Sequence, residues 1–206
     1  MTAGNNNTRQ FRAVAMGASA GGLNALGVVL DCLPAEFALP VIVAQHLHPT
    51  HGSCLADLLC ARCALPVRES EDKDTIEPGT VYVAPPNYHL LVENEETLTL
   101  SVDGKVNYSR PSIDVLFESA ADVWGRSVVG VLLTGANRDG ADGLRHIRDQ
   151  GGLTIAQTPA SAEQPVMPQA AIDAGAVDRA LSLDEIGRLL AEIGSETGRN
   201  NLRREV

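Results

Sequence analysis

The chain has 206 residues, of which 44% are hydrophobic and 20% are charged, and its formal net charge is −10. This length can bury one core without covalent cross-links, and the negative charge disfavours a general binder of nucleic acid or of anionic membrane surfaces. No apolar stretch is long enough to span a membrane, and the polar start lacks the apolar segment of a signal peptide, so we expect a cytoplasmic protein without membrane insertion.

Residues 1–10 are polar and are expected to form a disordered tail, with a single domain at 11–194 behind it. The first part of this domain alternates apolar runs with helical patterns. Its predicted elements are a strand at Phe11–Met16, a helix at Leu23–Leu33, a strand at Pro40–Ala44 and a helix at Ser53–Ala64. Strands made of continuous Val and Ile runs are typical of a parallel sheet covered on both faces.

The middle of the chain has short alternating segments that are broken by Pro, Asn and Gly. The segments Thr80–Pro85, His89–Glu93 and Thr97–Val102 predict an antiparallel β-hairpin near one edge of the sheet. The alternation of helix and strand then resumes. Its predicted elements are Ser112–Trp124, Ser127–Leu133, Ala141–Asp149, Leu153–Ala156, Pro168–Ala174, Ala176–Ala180 and Ser182–Ile193, followed by a C-terminal tail at 195–206.

This order of elements predicts an α/β fold. We expect a doubly wound, mostly parallel sheet with helices on both faces and an antiparallel hairpin near one edge.

The turn after the first predicted strand reads Gly17-Ala-Ser19-Ala-Gly21 and fits the G-x-S-x-G nucleophile elbow. Small residues let the backbone reverse sharply from strand into helix and leave the Ser19 hydroxyl at the tip. A second interpretation stays open at this point, because a Gly-rich turn before a helix can also bind a phosphate or serve only close packing.

Three predicted strands end at residues that could act together. The first ends at Ser19, the second at His46, and the strand Ser127–Leu133 is followed by Asp139. Because the carboxyl ends of parallel strands share one edge of the sheet, we expect these side chains to converge. We assign Ser19 as nucleophile, His46 as general base and then acid, and Asp139 as the carboxylate that orients the imidazole.

Backbone N–H groups of Ala20, Gly135 and Ala136 are the candidates for an oxyanion hole. The expected pocket is lined by Gly21, His89 and Met167.

Each of these residues also has a simpler structural interpretation. Asp139 stands before Gly140 and a predicted helix, where it could serve as a helix N-cap. His46, His48 and His51 could in principle bind a metal, but no nearby carboxylate completes the ligand set, so we expect no metal site. The four cysteines, three of them in one predicted helix, are expected to be reduced and structural.

The order of the three residues along the chain excludes one well-known scaffold. In α/β-hydrolases the elbow follows several strands and the order is Ser, acid, His, whereas here the elbow closes the first strand and the order is Ser, His, Asp.

Seven separated motifs recur in order between roughly residues 13 and 190: Gly17–Gly22, Gln45-His46, Val81–Pro86 with His89-Leu90, Arg110–Phe117, Val129–Gly135 with Asp139-Gly140, Gly152–Gln157, and Met167-Pro168 with Ala170–Ala176. Together they resemble the catalytic domain of the bacterial chemotaxis protein-glutamate methylesterases of the CheB type.

The resemblance implies the same triad, Ser19, His46 and Asp139, and a serine esterase without metal or organic cofactor. Its implied reaction is hydrolysis of glutamate methyl esters on the cytoplasmic helices of methyl-accepting chemoreceptors, with release of methanol. Deamidation of receptor glutamines would use the same acyl-serine. A separate response regulator or methyltransferase is a further implied partner, and no nucleic acid is expected.

Two departures from the family pattern bear on activity and regulation. The segment Thr134-Gly-Ala-Asn-Arg-Asp-Gly140 replaces the common Thr-Gly-Met-Gly-x-Asp-Gly. Here Asn137 would fit if its φ is positive, and Arg138 could compete for the Asp139 carboxylate. Only about ten residues precede the first strand, so we expect a standalone domain without a receiver domain. The alternative functions are a weakened receptor-binding or partner-binding module and a small-molecule carboxylesterase.

Overall fold

The computed structural model describes residues 10–46 and 54–202. Its strands are β1 (Ala13–Ala18), β2 (Val41–Gln45), β3 (Val67–Glu69), β4 (Val81–Val83), β5 (His89–Asn94), β6 (Thr97–Ser101), β7 (Val128–Leu132), β8 (Leu153–Gln157) and β9 (Arg179–Leu181). Seven of them form one sheet in the order β3-β4-β2-β1-β7-β8-β9, and every neighbouring pair is parallel.

The chain reverses its direction of travel across the sheet at β1. From β1 it moves outward through β2, and it later returns to add β7 on the other side of β1. In open α/β sheets the crevice outside the carboxyl ends of the strands at such a point is where ligands bind. The fold therefore creates a crevice where β1, β2 and β7 end.

Six helices cover the sheet in the described part of the chain: α1 (Gly22–Asp31), α2 (Leu55–Cys60), α3 (Ile113–Trp124), α4 (Ala141–Asp149), α5 (Val166–Asp173) and α6 (Leu183–Leu202). Side chains of β1 alternate between two cores: Val14 and Met16 pack with α1 and α6, whereas Ala13 and Ala15 pack with α3, α4 and α5. All six residues of β1 are buried, as the continuous apolar run predicts. The predicted α/β fold is confirmed.

The antiparallel hairpin is smaller than predicted. Only β5 and β6 pair with each other, with His89 opposite Ser101, and they form a separate two-stranded sheet against α3. β4, which we assigned to the hairpin region, instead pairs parallel with β2 and β3, because Val81, Tyr82 and Val83 are all fully buried. The strand β3 has three residues and was not predicted.

Helix boundaries differ from the predicted ones mainly at two places. α2 is only six residues long, shorter than the predicted Ser53–Ala64. α6 continues to Leu202, so the segment from 195 to 202 is helical and not the predicted tail. At the start of α6, Glu185 accepts hydrogen bonds from the Ser182 amide at 2.8 Å and from its hydroxyl at 2.7 Å, and the contact with the amide is one half of a capping box.

The cysteines are free thiols, as expected, but they are less buried than a structural role implies. Cys54 and Cys60 are exposed, and Cys32 and Cys63 are half-buried. The short α2 explains the exposure of Cys54 and Cys60, which lie at its two ends, because its buried face is carried by Leu55 and Leu59. Across residues 10–46 and 54–202, no helix combines the length and the apolar character needed to cross a membrane.

Candidate active site

Ser19 lies in the turn between β1 and α1. Its amide donates to the Thr134 carbonyl at 2.9 Å and its carbonyl accepts from the Gly22 amide at 2.8 Å, which fixes the turn on both sides. Gly21 is the N-cap of α1 and has φ of +77°, a conformation that a residue with a side chain adopts only under strain. The backbone therefore presents Ser19 at the crevice, as the elbow pattern predicts.

His46 follows β2 and bridges the other two candidate residues. Its Nδ1 lies 3.2 Å from Ser19 Oγ, and its Nε2 lies 2.7 Å from Asp139 Oδ2. Because the ionised carboxylate can only accept, the imidazole carries its proton on Nε2 and leaves the Nδ1 lone pair for the serine hydroxyl. This use of the two nitrogens is the reverse of the usual Ser-His-Asp arrangement, in which Nε2 faces the serine.

Asp139 is fully buried, between the His46 ring and the first residues of α3. Besides the imidazole, the main-chain amide of Ile113 donates to Oδ2 at 2.7 Å, and the Ser112 hydroxyl and the Asn107 side-chain amide donate to Oδ1 at 2.8 and 3.0 Å. The simpler interpretation of Asp139 as the cap of the following helix is wrong, because α4 is capped by Gly140 without a side-chain hydrogen bond. The carboxylate instead accepts from the first turn of α3.

These hydrogen bonds decide the charge of Asp139. Burial disfavours its ionised form, but the hydrogen bonds from His46, Asn107 and Ile113 outweigh burial and lower the pKa of Asp139 to about 2. The residue is therefore a carboxylate throughout the neutral pH range.

A second buried carboxyl group, Asp114, lies beside the first. Its Oδ1 accepts from the Gly143 amide at 2.7 Å and its Oδ2 accepts from Asn107 at 2.6 Å. Burial raises the pKa of Asp114 to about 7, with the negative charge of Asp139 acting in the same direction and the Gly143 hydrogen bond opposing both. Asn107, whose φ is +49°, thus donates to both carboxyl groups.

The predicted oxyanion donors are not equivalent in the structure. The Gly135 amide already donates to the Gln164 carbonyl at 3.0 Å, so the prediction that Gly135 donates to an oxyanion is wrong for this conformation. Among the described residues, the amides of Ala20 and Ala136 have no hydrogen-bond acceptor. These two N–H groups are the remaining candidates.

Two buried polar residues that the sequence analysis did not assign hold the turn around Ser19. Gln45 Nε2 donates to the carbonyls of Ser19 and His46 at 2.8 and 3.0 Å. The Thr134 hydroxyl donates to the Ala20 carbonyl at 2.9 Å and accepts from the Gln164 amide at 2.9 Å. Gln45 and Thr134 stand directly beside His46 and Gly135 in the recognised motifs, and this position was the sequence feature that could have identified them as site residues.

Only one of the three predicted pocket residues lines the cavity beside Ser19. Gly21 lines an open cavity of about 370 Å³ together with Ser19, Gly22, Leu23, Asn24, Gln45 and Arg62. His89 is only 2% exposed and does not line this cavity, because its ring contacts the Gly104 carbonyl and the Ser112 amide. Met167 is fully buried in the core and packs directly against Gly135, so it too lies outside the cavity.

The residues that departed from the family pattern do not disturb the site. Arg138 donates to Asp142 at 3.0 Å on the surface and does not compete for Asp139. Asn137 does not have a positive φ. Its side-chain oxygen accepts from the Asp139 amide at 3.2 Å instead. His48 and His51 lie outside the described residues, so the alternative of a histidine cluster is not described here.

Comparison with known proteins gives consistent matches. The family model described as CheB methylesterase matches residues 14–190. A provisionally named protein-glutamate methylesterase/protein-glutamine glutaminase of Leptospira interrogans is 45% identical over 183 residues, which cover 89% of this chain and 95% of that protein. The protein-glutamate methylesterase/protein-glutamine glutaminase of Mesorhizobium japonicum is 44% identical over 181 residues, 88% of this chain.

The matched relatives differ in length. The aligned region is 53% of the Mesorhizobium japonicum protein, so the chain spans about half of that relative and nearly all of the Leptospira interrogans one. Among solved structures, the Thermotoga maritima CheB methylesterase catalytic domain matches with a TM-score of 0.85 and 32% identity, covering 89% of this chain and 99% of that one.

Proposed function

The chain belongs to the CheB methylesterase family, and from this premise we propose that it hydrolyses glutamate methyl esters on chemoreceptors through Ser19, His46 and Asp139. The observation that carries the proposal is the continuous pair of contacts from Ser19 Oγ to His46 at 3.2 Å and from His46 to Asp139 at 2.7 Å. The three residues come from three strand ends and meet at the crevice beside β1. A merely structural role would not require a half-buried serine hydroxyl that lines an open cavity there.

The first half of the reaction forms an acyl-serine. His46 Nδ1 takes the Ser19 proton as Oγ attacks the ester carbonyl carbon, and the resulting imidazolium is stabilised by the Asp139 carboxylate through Nε2–H. The amide of Ala20, just before the positive end of α1, and the amide of Ala136, after β7, would stabilise the negative charge that develops on the former carbonyl oxygen. The intermediate collapses when Nδ1–H protonates the leaving methoxide, which departs as methanol.

The second half of the reaction restores the enzyme. A water molecule gives its proton to His46 Nδ1 as it attacks the acyl carbon, and the proton then returns to Ser19 Oγ as the bond to serine breaks. The product is the glutamic acid side chain, which releases one proton to solvent and becomes the carboxylate. A glutamine side chain would follow the same steps with ammonia as the leaving group, in agreement with the double name of the relatives.

The proposed substrate is the helical cytoplasmic region of a methyl-accepting chemoreceptor, and the proposed catalytic domain is residues 11–194. This assignment also makes the protein a cytoplasmic one, because the receptor segment that it modifies lies there. One feature of the site supports a macromolecular substrate: the cavity that Ser19 lines is open to solvent.

The test is methanol release from a purified methylated receptor cytoplasmic fragment. Ser19→Ala and His46→Ala should abolish release, whereas the matched surface variants Ser101→Ala and His146→Ala should keep it. Circular dichroism of each variant checks the fold. Unchanged methanol release by Ser19→Ala would refute the mechanism, and turnover of generic small esters without any receptor turnover would refute the substrate assignment.

A further inference from the structure

A positively charged side chain lines the same cavity as the proposed nucleophile. Arg62, which follows α2, lines the cavity of about 370 Å³ together with Ser19 and the first turn of α1. It is exposed, and within residues 10–46 and 54–202 it makes no ion pair, whereas four other cations, Arg68, Lys73, Arg138 and Arg148, each contact an Asp or Glu carboxylate. An uncompensated guanidinium in a catalytic cavity offers a binding site for an anionic group.

The guanidinium occupies the space beside α1 that a side chain at Gly27 would fill. A Cβ atom added at Gly27 would lie 2.5 Å from Arg62 Cζ, so the guanidinium lies directly against the helix backbone at this position. Any larger residue at Gly27 would have to displace the guanidinium. The location of the charge in the cavity therefore depends on two residues that are distant along the chain.

The reacting groups themselves do not need this charge. Glutamate methyl ester and glutamine are both neutral, and Gly27 is five residues beyond the start of α1, roughly 8 Å along the helix axis. A carboxylate held by Arg62 therefore belongs to a different side chain of the substrate. On a helical substrate, residues three or four positions apart lie about 5 to 6 Å from each other, which is a similar span.

We propose that Arg62 is a specificity-determining residue, which binds an acidic side chain one helical turn from the glutamate that is hydrolysed. This inference rests on the proposed function, because it names a feature of the substrate for the same site. It also explains how a chain with a net charge of −10 admits an acidic segment to its cavity. The repulsion of the whole protein is offset locally where the substrate docks.

The test compares two versions of a receptor cytoplasmic fragment methylated at a single glutamate. One version carries Glu three and four residues to either side of this position, and the other carries Gln there. Wild type should prefer the acidic fragment by about ten-fold in kcat/KM, mostly through KM. Arg62→Ala should abolish the preference, and Arg62→Glu should reverse it in favour of a fragment with Lys at the same positions.

Gly27→Ala provides an independent variant that keeps the net charge. Alanine is a better helix former than glycine, so the fold should persist, while the added methyl displaces the guanidinium and removes the preference. The matched control is Arg179→Ala, on exposed strand β9, which should behave as wild type.

Retention of the preference by Arg62→Ala, or its absence in wild type, would overturn the role of Arg62 and leave the proposed function intact. Failure of wild type to hydrolyse either fragment would overturn the proposed function, and the inference with it. Loss of the preference in both Arg62→Ala and Gly27→Ala, with retention in Arg179→Ala, supports it.

Discussion

Replacing Asp139 by Asn tests the part of the site that the structure defines best. The two carboxylate oxygens accept from five groups: the imidazole and the Ile113 amide at Oδ2, and the Asn107 amide, the Ser112 hydroxyl and the Asp114 amide at Oδ1. An Asn side chain has one oxygen and one NH₂ group. Its NH₂ group must therefore point at hydrogen-bond donors that contact a carboxylate oxygen in the wild type.

The less unfavourable orientation leaves the amide oxygen on the side with three donors. The NH₂ group then faces His46 and the Ile113 amide, which loses its acceptor in a buried site at a cost of about 1–3 kcal/mol of stability. His46 can satisfy the new donor only by accepting at Nε2, which moves its proton to Nδ1. The imidazole then donates towards Ser19 and cannot take its proton, so we expect kcat to fall by about 10⁴-fold.

Three measurements on Asp139→Asn check this reasoning: methanol release from methylated receptor fragment, urea denaturation at pH 7, and the ¹⁵N NMR shifts of the His46 ring. We expect a large loss in kcat, a modest loss in stability and a proton on Nδ1. The control Asp178→Asn, which alters a carboxyl group that binds Thr154 and Arg148, should lower stability and keep activity. A proton that stays on Nε2, or an activity loss confined to KM, would refute the tautomer argument.

Three further predictions follow from neighbouring contacts. Thr134→Val removes the hydroxyl that donates to the Ala20 carbonyl, so it should lower stability by about 1–3 kcal/mol and lower kcat, measured by denaturation and methanol release. Gly135→Ala should destabilise by about 1–3 kcal/mol, because its Cβ would lie 2.5 Å from Met167 Cε, and a double-mutant cycle checks this cause, since the same substitution should cost less stability in a Met167→Ala background. Asp114, with its pKa raised to about 7, keeps its proton in the folded state at pH values where the unfolded chain, with a pKa near 4, has released it. The free energy of unfolding should therefore fall as pH rises from 4 to 7. Asp114→Asn should flatten this fall, which urea titrations at several pH values would measure.

The convergence of Ser19, His46 and Asp139 could be predicted from the sequence because each follows a strand of a parallel sheet. Because such strands are buried on both faces, they appear in the sequence as continuous apolar runs. The ends of parallel strands then lie at one edge of the sheet, so their convergence can be predicted without knowing the side-chain packing. The assignment of β4 failed for the opposite reason. Its three residues, Val81 to Val83, are too few to distinguish alternation from a buried run, and only the pairing with β2 decides.

Other features of the site depend on contacts between residues that are far apart in sequence. The Gly135 amide is occupied by a carbonyl 29 residues later, and Asp139 accepts from a helix that begins 26 residues earlier. His89 belongs to a recognised motif, but its ring supports the start of α3 and not the cavity. Local patterns carry no information on these pairings, nor on which imidazole nitrogen faces Ser19.

The most direct test of the central claim is covalent labelling of the intact protein with a fluorophosphonate, followed by mass spectrometry of its peptides. We expect one adduct per chain, located on Ser19, and a strongly reduced rate of labelling in His46→Ala. An adduct on another residue, or an unlabelled Ser19 in a preparation that still releases methanol from methylated receptor, would contradict the account.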